Sequence, residues 1–397
     1  MRYFLYIMMK INKIWPLIFL HSLLVIACID EYMPDLERYE HILVVDGMLT
    51  SEPGPHIVKL SLSSPLNQKD SNMVSGAILY IVDGDNNRIA LKETAPGIYS
   101  TEPDDWAGKY GQKYKLEITT KDNIQYESEF QEMRSPESID SIYGQIEFAS
   151  TQDVESPEQA VYQFYINNYN IISDTAYFLW LLEETYEYDA QKQVLYIWDG
   201  NKINDVLNRD TLRTCWKTEI IPSIYTATNE GLTEPELISF PLNKVIDGGL
   251  KMNFRYSLLV TQFSLNKESF KYWTDMKNQD DTQAGLYASQ PYQINGNMYN
   301  ISNKNEPVLG NFTVASIARK RVMVRAQPEF EEYIGPLCDP NPDKLPYMLT
   351  PDKIVFIGEN DEGYLGALSA SCYDCRQAGG TLEKPVFWEQ NNIPVLP

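Results

Sequence analysis

Five cysteines and three histidines are the residues of this 397-residue chain best suited to nucleophilic, redox or metal chemistry. Two cysteines stand in the phrase Cys372-Tyr373-Asp374-Cys375. A Cys-x-x-Cys pair serves as a redox centre, as half of a zinc site, or as two ends of structural disulfides. A redox pair needs a βαβ frame around a helix start, and no such frame precedes Cys372. Zinc needs further ligands nearby, yet His41 and His56 lie far upstream and Cys338 alone cannot complete a site. Hydrolytic triads need a histidine base. His41 opens the first expected strand and His56 adjoins Pro53-Gly54-Pro55, and neither neighbours a nucleophile motif. There is no Gly-x-Ser-x-Gly, no His-Glu-x-x-His and no phosphate-cradling glycine loop. Paired carboxylates remain available among 55 Asp and Glu residues. Those in the strands, such as Glu183, Glu184 and Glu187, fall on expected solvent faces. The chain is therefore read as a non-enzyme, with no catalytic residue, no metal and no cofactor.

The fate of the cysteines depends on compartment, and residues 1–40 address it. Arg2, Lys10 and Lys13 precede an almost wholly apolar stretch from Ile14 to Ala27, the layout of a secretory signal over residues 1–27. The stretch is too short and too early for an ordinary spanning helix. It ends in Val25-Ile26-Ala27-Cys28, which resembles the lipobox of bacterial lipoproteins, so Cys28 is the expected lipidation site. The residues that follow, in an acidic tether over 28–40, resemble a signal for export to the cell surface. One buried acyl chain gives a marginal anchor and several give a firm one, at about 0.8 kcal/mol per methylene. In an exported protein Cys215, Cys338, Cys372 and Cys375 read as two disulfides, with three connectivities open. Outward pairing of Cys372 and Cys375, to Cys215 and Cys338, is favoured because longer loops constrain the unfolded chain more.

From Cys28 onward the net charge is −22 − 3 = −25, since three positive charges and no acids precede it. That surface argues against nucleic acid and anionic headgroups as partners. Tyrosine, threonine, valine and isoleucine with closely spaced turn residues indicate a mainly β fold. Residues 41–133 read as about seven strands with no helical pattern, an immunoglobulin-like or transthyretin-like β-sandwich. The turn Asp83-Gly84-Asp85-Asn86-Asn87 has calcium-loop composition, but a calcium loop would place a closing Glu where Thr94 stands, so it reads as a hairpin turn.

Residues 133–141 read as a linker, and 134–397 as a larger β-rich domain with a few short helices. Within it, residues 177–189 and 192–200 are expected to form a long hairpin across Ala190-Gln191. Residues 308–325 are expected to form a strand pair. One helix, capped by Ser264 or Asn266, should bury Phe270 and Trp273.

Several phrases in this region resemble the Bacteroidota lipoprotein family called domain of unknown function 4249. They are Gln290-Pro291, Gly296-Asn297, Pro307-Val308-Leu309-Gly310, Cys372 to Arg376, Gly379-Gly380-Thr381, Lys384-Pro385 and Phe387-Trp388. Leu382 departs from the polar residue that many members carry there. The resemblance implies an outer-membrane lipoprotein that accompanies a TonB-dependent receptor, with a glycan or peptide as ligand, and it carries over no catalytic residue. The closing segment reads as disulfide-locked, and Arg376, Lys384, Phe387 and Trp388 are candidates for partner docking.

Overall fold

The computed structural model describes residues 41–64, 72–103, 106–150, 158–246, 248–283, 293–327, 330, 338, 340–390 and 392–396. The signal segment, Cys28, the tether and Gln290-Pro291 lie outside them. Ile42–Leu62 and Ser71–Pro397 form one compact unit; the other, Met1–His41 and Ser63–Asp70, falls almost entirely outside the described residues.

Alternating apolar residues build the first sandwich from β1 (Leu43–Thr50), β2 (Ile57–Leu62), β3 (Asn72–Met73), β4 (Ile78–Asp83), β5 (Arg88–Ala95), β6 (Ile98–Ser100), β7 (Lys113–Thr119), β8 (Gln125–Ser128) and β9 (Gln131–Glu132). In β7 every second residue, Tyr114, Leu116 and Ile118, is buried, as period-two patterning requires. β5 pairs with β6 on one side and β4 on the other, carrying the chain from one layer to the next around a core that includes Val45, Leu60, Leu79 and Leu116. The Asp83 turn closes on itself: the carboxylate accepts the Asp85 and Asn87 N–H groups at 3.0 and 2.9 Å, and Asn86 takes φ 64°.

A second sandwich follows. β10 (Ser141–Ser150), β11 (Glu158–Asn168) and β16 (Leu237–Ile246) form one layer. The facing layer runs β15 (Thr214–Thr228), β12 (Tyr177–Asp189), β17 (Arg255–Ser264) and β19 (Leu309–Arg325). Tyr162, Phe164 and Ile166 of one layer meet Phe178, Trp180, Leu258 and Val260 of the other. β13 (Tyr196–Trp198), β14 (Ile203–Asp205), β20 (Val355–Glu359) and β21 (Leu365–Ala367) make a small separate sheet, while β18 (Met298–Asn300) adds to β8 and β22 (Val395–Leu396) to β19. Among the described residues the α-helices are α1 (Lys267–Gln283), α2 (Leu345–Met348) and α3 (Ala370–Tyr373). Asn266 caps α1 by accepting the Ser269 N–H at 2.8 Å, and Phe270 and Trp273 pack on Tyr177, Leu179 and Phe263. The fold is mainly β with a few short helices.

The structure corrects four expectations, and strand pairing runs across a fifth. Residues 308–325 hold one 17-residue strand, because β17 pairs along its second half and β1, in parallel, along its first. The hairpin across Ala190-Gln191 does not form. Both edges of β12 are occupied by β15 and β17, so the chain turns away and β13 pairs with β14 and β20 instead. Residues 133–141 do not form an open linker. Met133 and Glu137 are buried, and the Glu137 carboxylate accepts the backbone N–H groups of Ile172 and Ser173 at 2.8 and 3.0 Å. Glu183, Glu184 and Glu187 do not face solvent freely; each is engaged, as described below. The boundary expected at 133/134 is itself crossed by strand pairing, since β1 joins β19 and β8 joins β18.

Candidate functional site

Antiparallel register places a cluster of polar aromatic residues at one end of the second sandwich. On the inner face of β12, Glu184 lies opposite Glu219, Tyr186 opposite Lys217 and Tyr256, and Tyr188 opposite Cys215. Glu184 is 4% exposed, and its carboxylate accepts the Tyr256 hydroxyl at 2.8 Å and an ion pair from Lys251. Burial, reinforced by that carboxylate, raises the Tyr256 phenol far above its ordinary pKa. Tyr186 donates to Glu219 at 3.0 Å, and burial followed by this bond raises its pKa too. Glu219 is held below the usual carboxylate range, first by its bond to Lys217, 2.8 Å away.

The disulfides build the adjoining wall. Cys215 bonds to Cys375 and Cys338 to Cys372, so each member of the buried Cys-x-x-Cys pair bonds to a cysteine outside the motif. Tyr188 donates to the Cys375 carbonyl at 2.7 Å. Gly380 passes so close that a Cβ there would lie 2.4 Å from the Tyr188 hydroxyl and 2.9 Å from Cys215 Cβ. Between this wall, the end of β16 and residues 248–251 open two neighbouring cavities that share Leu250. One of about 510 Å³ is lined by Tyr186, Lys244, Val245, Ile246 and Gly248 to Lys251. The other, about 200 Å³, is lined by Tyr188, Asp189, Gln191, Gln377 and the cysteine segment. The turn beside them takes positive φ at Gly248 (87°), which glycine adopts freely, and at buried Met252 (67°), where a side chain seldom allows it.

The acids around this mouth are satisfied by cations or phenols. Asp189 pairs with Arg213 at 3.1 Å and accepts Thr214 Oγ1 at 2.8 Å. Asp374 takes Arg376 in a two-pronged bond, Nε at 2.9 Å and Nη2 at 2.8 Å, which lowers its pKa. His41 is exposed, whereas His56 is buried with its ring edge-on to Trp106. Among the described residues, no group of three His, Cys, Asp or Glu side chains is arranged to hold a metal ion.

The four docking candidates divide. Arg376 is half exposed but held by Asp374. Lys384 pairs with Glu389 at 2.7 Å and lies over the Trp216 ring. Phe387 stacks under Arg321, 3.6 Å from ring centroid to guanidinium, and Arg321 also reaches Glu183. Trp388 is 2% exposed, with its indole N–H on Glu187 at 2.8 Å and its carbonyl accepting Arg255 at 2.8 Å. Trp388 therefore pins the closing segment to the outer face of the large sheet, and its ring is not available to a partner.

Of the phrases singled out in the sequence, Gly296-Asn297 and Leu309-Gly310 converge. A Cβ on Gly296 would lie 1.6 Å from the Gly310 carbonyl oxygen, and one on Gly310, at φ 88°, 1.9 Å from that of Val45. These glycines are there because the backbones touch. The residues that sequence reasoning missed are Glu184, Lys251 and Tyr256. They are distant in sequence, and only the strand register brings them together.

The fold and site define a double β-sandwich closed by a disulfide-held segment, with a tyrosine-lined mouth. The profile of the family described as Domain of unknown function (DUF4249) matches residues 29–321, and the chain belongs to that family. The Cys372 to Trp388 phrase lies beyond the matched span. A search of curated proteins finds no match.

Proposed function

We propose that the protein is a surface-exposed outer-membrane lipoprotein, anchored through Cys28, that captures substrate for a TonB-dependent transporter. The anchor rests on the apolar run ending at Ala27-Cys28 and the acidic residues after it. Capture, as opposed to catalysis, is supported by one observation above all: the mouth between β16, residues 248–251 and the cysteine wall is open. Its acids, Glu184, Glu219, Asp189 and Asp374, are each tied to a cation, with none left as a base. Concave, tyrosine-lined sites with a few fixed polar groups suit the recognition of a glycan or a peptide. A Cys28→Ser substitution tests the anchor. Wild-type protein should fractionate with outer membranes and be removed by protease added to whole cells, and the variant should lose both properties. Membrane retention of the variant contradicts the lipid anchor.

A further inference from the structure

The larger cavity lies along a free strand edge. β16 pairs only with β11, and its other edge carries no strand among the described residues. Its last three residues, Lys244, Val245 and Ile246, line the cavity consecutively, as a backbone edge does. Upstream the edge is blunted. Pro241 has no N–H to offer, and register shifts interrupt the pairing between Gln163 and Tyr165 and between Ile166 and Asn168. Beside the cavity the register is regular, Val161 to Ile246, Tyr162 to Val245 and Gln163 to Lys244. That leaves about 10 Å of usable edge at roughly 3.3 Å per residue. Lys244 is exposed and has no ion pair among the described residues, a local positive charge that a carboxylate can meet despite the chain's net charge of −22. Tyr186 and Leu250 supply apolar surface on the cavity's other side.

We propose that the mouth takes an extended acidic peptide, which adds as a fourth strand to the free edge of β16 between Lys244 and Ile246. Main-chain bonds to the edge supply affinity. An apolar side chain against Tyr186 and Leu250, and a carboxylate meeting Lys244, supply selection. This names the substrate class of the capture site and rests on that reading.

The test passes a trypsin digest of casein over immobilised full-length protein and identifies retained peptides by mass spectrometry, in parallel with Lys244→Glu and Ile246→Pro. Wild type should retain peptides with acidic residues alternating with apolar ones. Lys244→Glu should weaken a synthetic copy of a retained peptide at least about tenfold, and Ile246→Pro or N-methylation at alternate backbone positions of the peptide should abolish binding. Lys244 is exposed, so its variant decides the matter if Ile246→Pro does not fold. Retention unchanged by Lys244→Glu, or no peptide retained, overturns the proposal. An oligosaccharide pool retained by wild type in place of peptides overturns the peptide class and leaves capture standing. Retention of neither overturns both.

Discussion

The Asn297 carboxamide bonds the backbone of Phe312 twice, accepting its N–H at 2.9 Å and donating to its carbonyl at 2.8 Å. Asn297 is 8% exposed and Phe312 fully buried, so the side chain serves as a one-residue strand beside the stretch of β19 that pairs with β1, ahead of the stretch from Ser316 that pairs with β17. Asn297→Ala would leave two buried backbone groups unpaired, at about 1–3 kcal/mol each. The variant should lose about 3 kcal/mol in urea unfolding, and Asn297→Asp, whose buried carboxylate would face the Phe312 carbonyl oxygen, should lose at least as much. Equal stability of wild type and alanine variant would refute the clamp.

The two disulfides should contribute unequally. Cys215–Cys375 spans 160 residues and Cys338–Cys372 spans 34. Loop-closure entropy gives about 5 kcal/mol for the first and about 4 kcal/mol for the second. Thermal unfolding of the two double Cys→Ala variants should rank them in that order. The Cys215 pair should also alter the mouth more, since it holds the carbonyl that Tyr188 bonds.

Trp388 is expected to be the closing segment's main attachment. Trp388→Ala removes a buried ring, its bond to Glu187 and a cation–π contact with Arg255, and should cost about 3–5 kcal/mol. Limited proteolysis should then cut after residue 380 well before the rest of the chain. Val386→Ala, at 89% exposure, is the control and should change nothing.

His56 gives stability a pH dependence in the first sandwich. Burial lowers its pKa from 6.5, against the opposing effect of the Trp106 carbonyl at 3.2 Å. The unfolded chain therefore takes up a proton before the folded one does. Stability is complete above pH 6.5 and falls as pH drops below it, through the depressed folded value. Urea midpoints measured downward from pH 7 should fall less steeply for His56→Gln than for wild type; parallel slopes would refute this.

The strands of the first sandwich were legible because their alternation is strict and their turns carry Asp, Asn and Gly. The outward pairing of Cys372 and Cys375 was legible from loop length. Register between distant strands was not. The parallel pairing of β1 with β19 joins residues more than 250 positions apart, and no local pattern encodes it. Glu184 looked like a solvent-facing acid because the Glu183-Glu184 pair is polar on both faces of β12. Its burial depends on Lys251 and Tyr256, which reach it from another loop and strand. Trp388 looked like a docking residue because an aromatic residue after Lys-Pro near the end of a chain carries no sign of the Glu187 it bonds.

The central claim is that this chain serves a transporter. The most direct measurement is tagged purification from native membranes in mild detergent, with co-purifying proteins identified and quantified by mass spectrometry. A TonB-dependent receptor in stoichiometric amount is the expected result. Recovery of the chain alone across all detergent strengths would contradict it and favour the alternative reading, a stand-alone surface binder or adhesive lipoprotein.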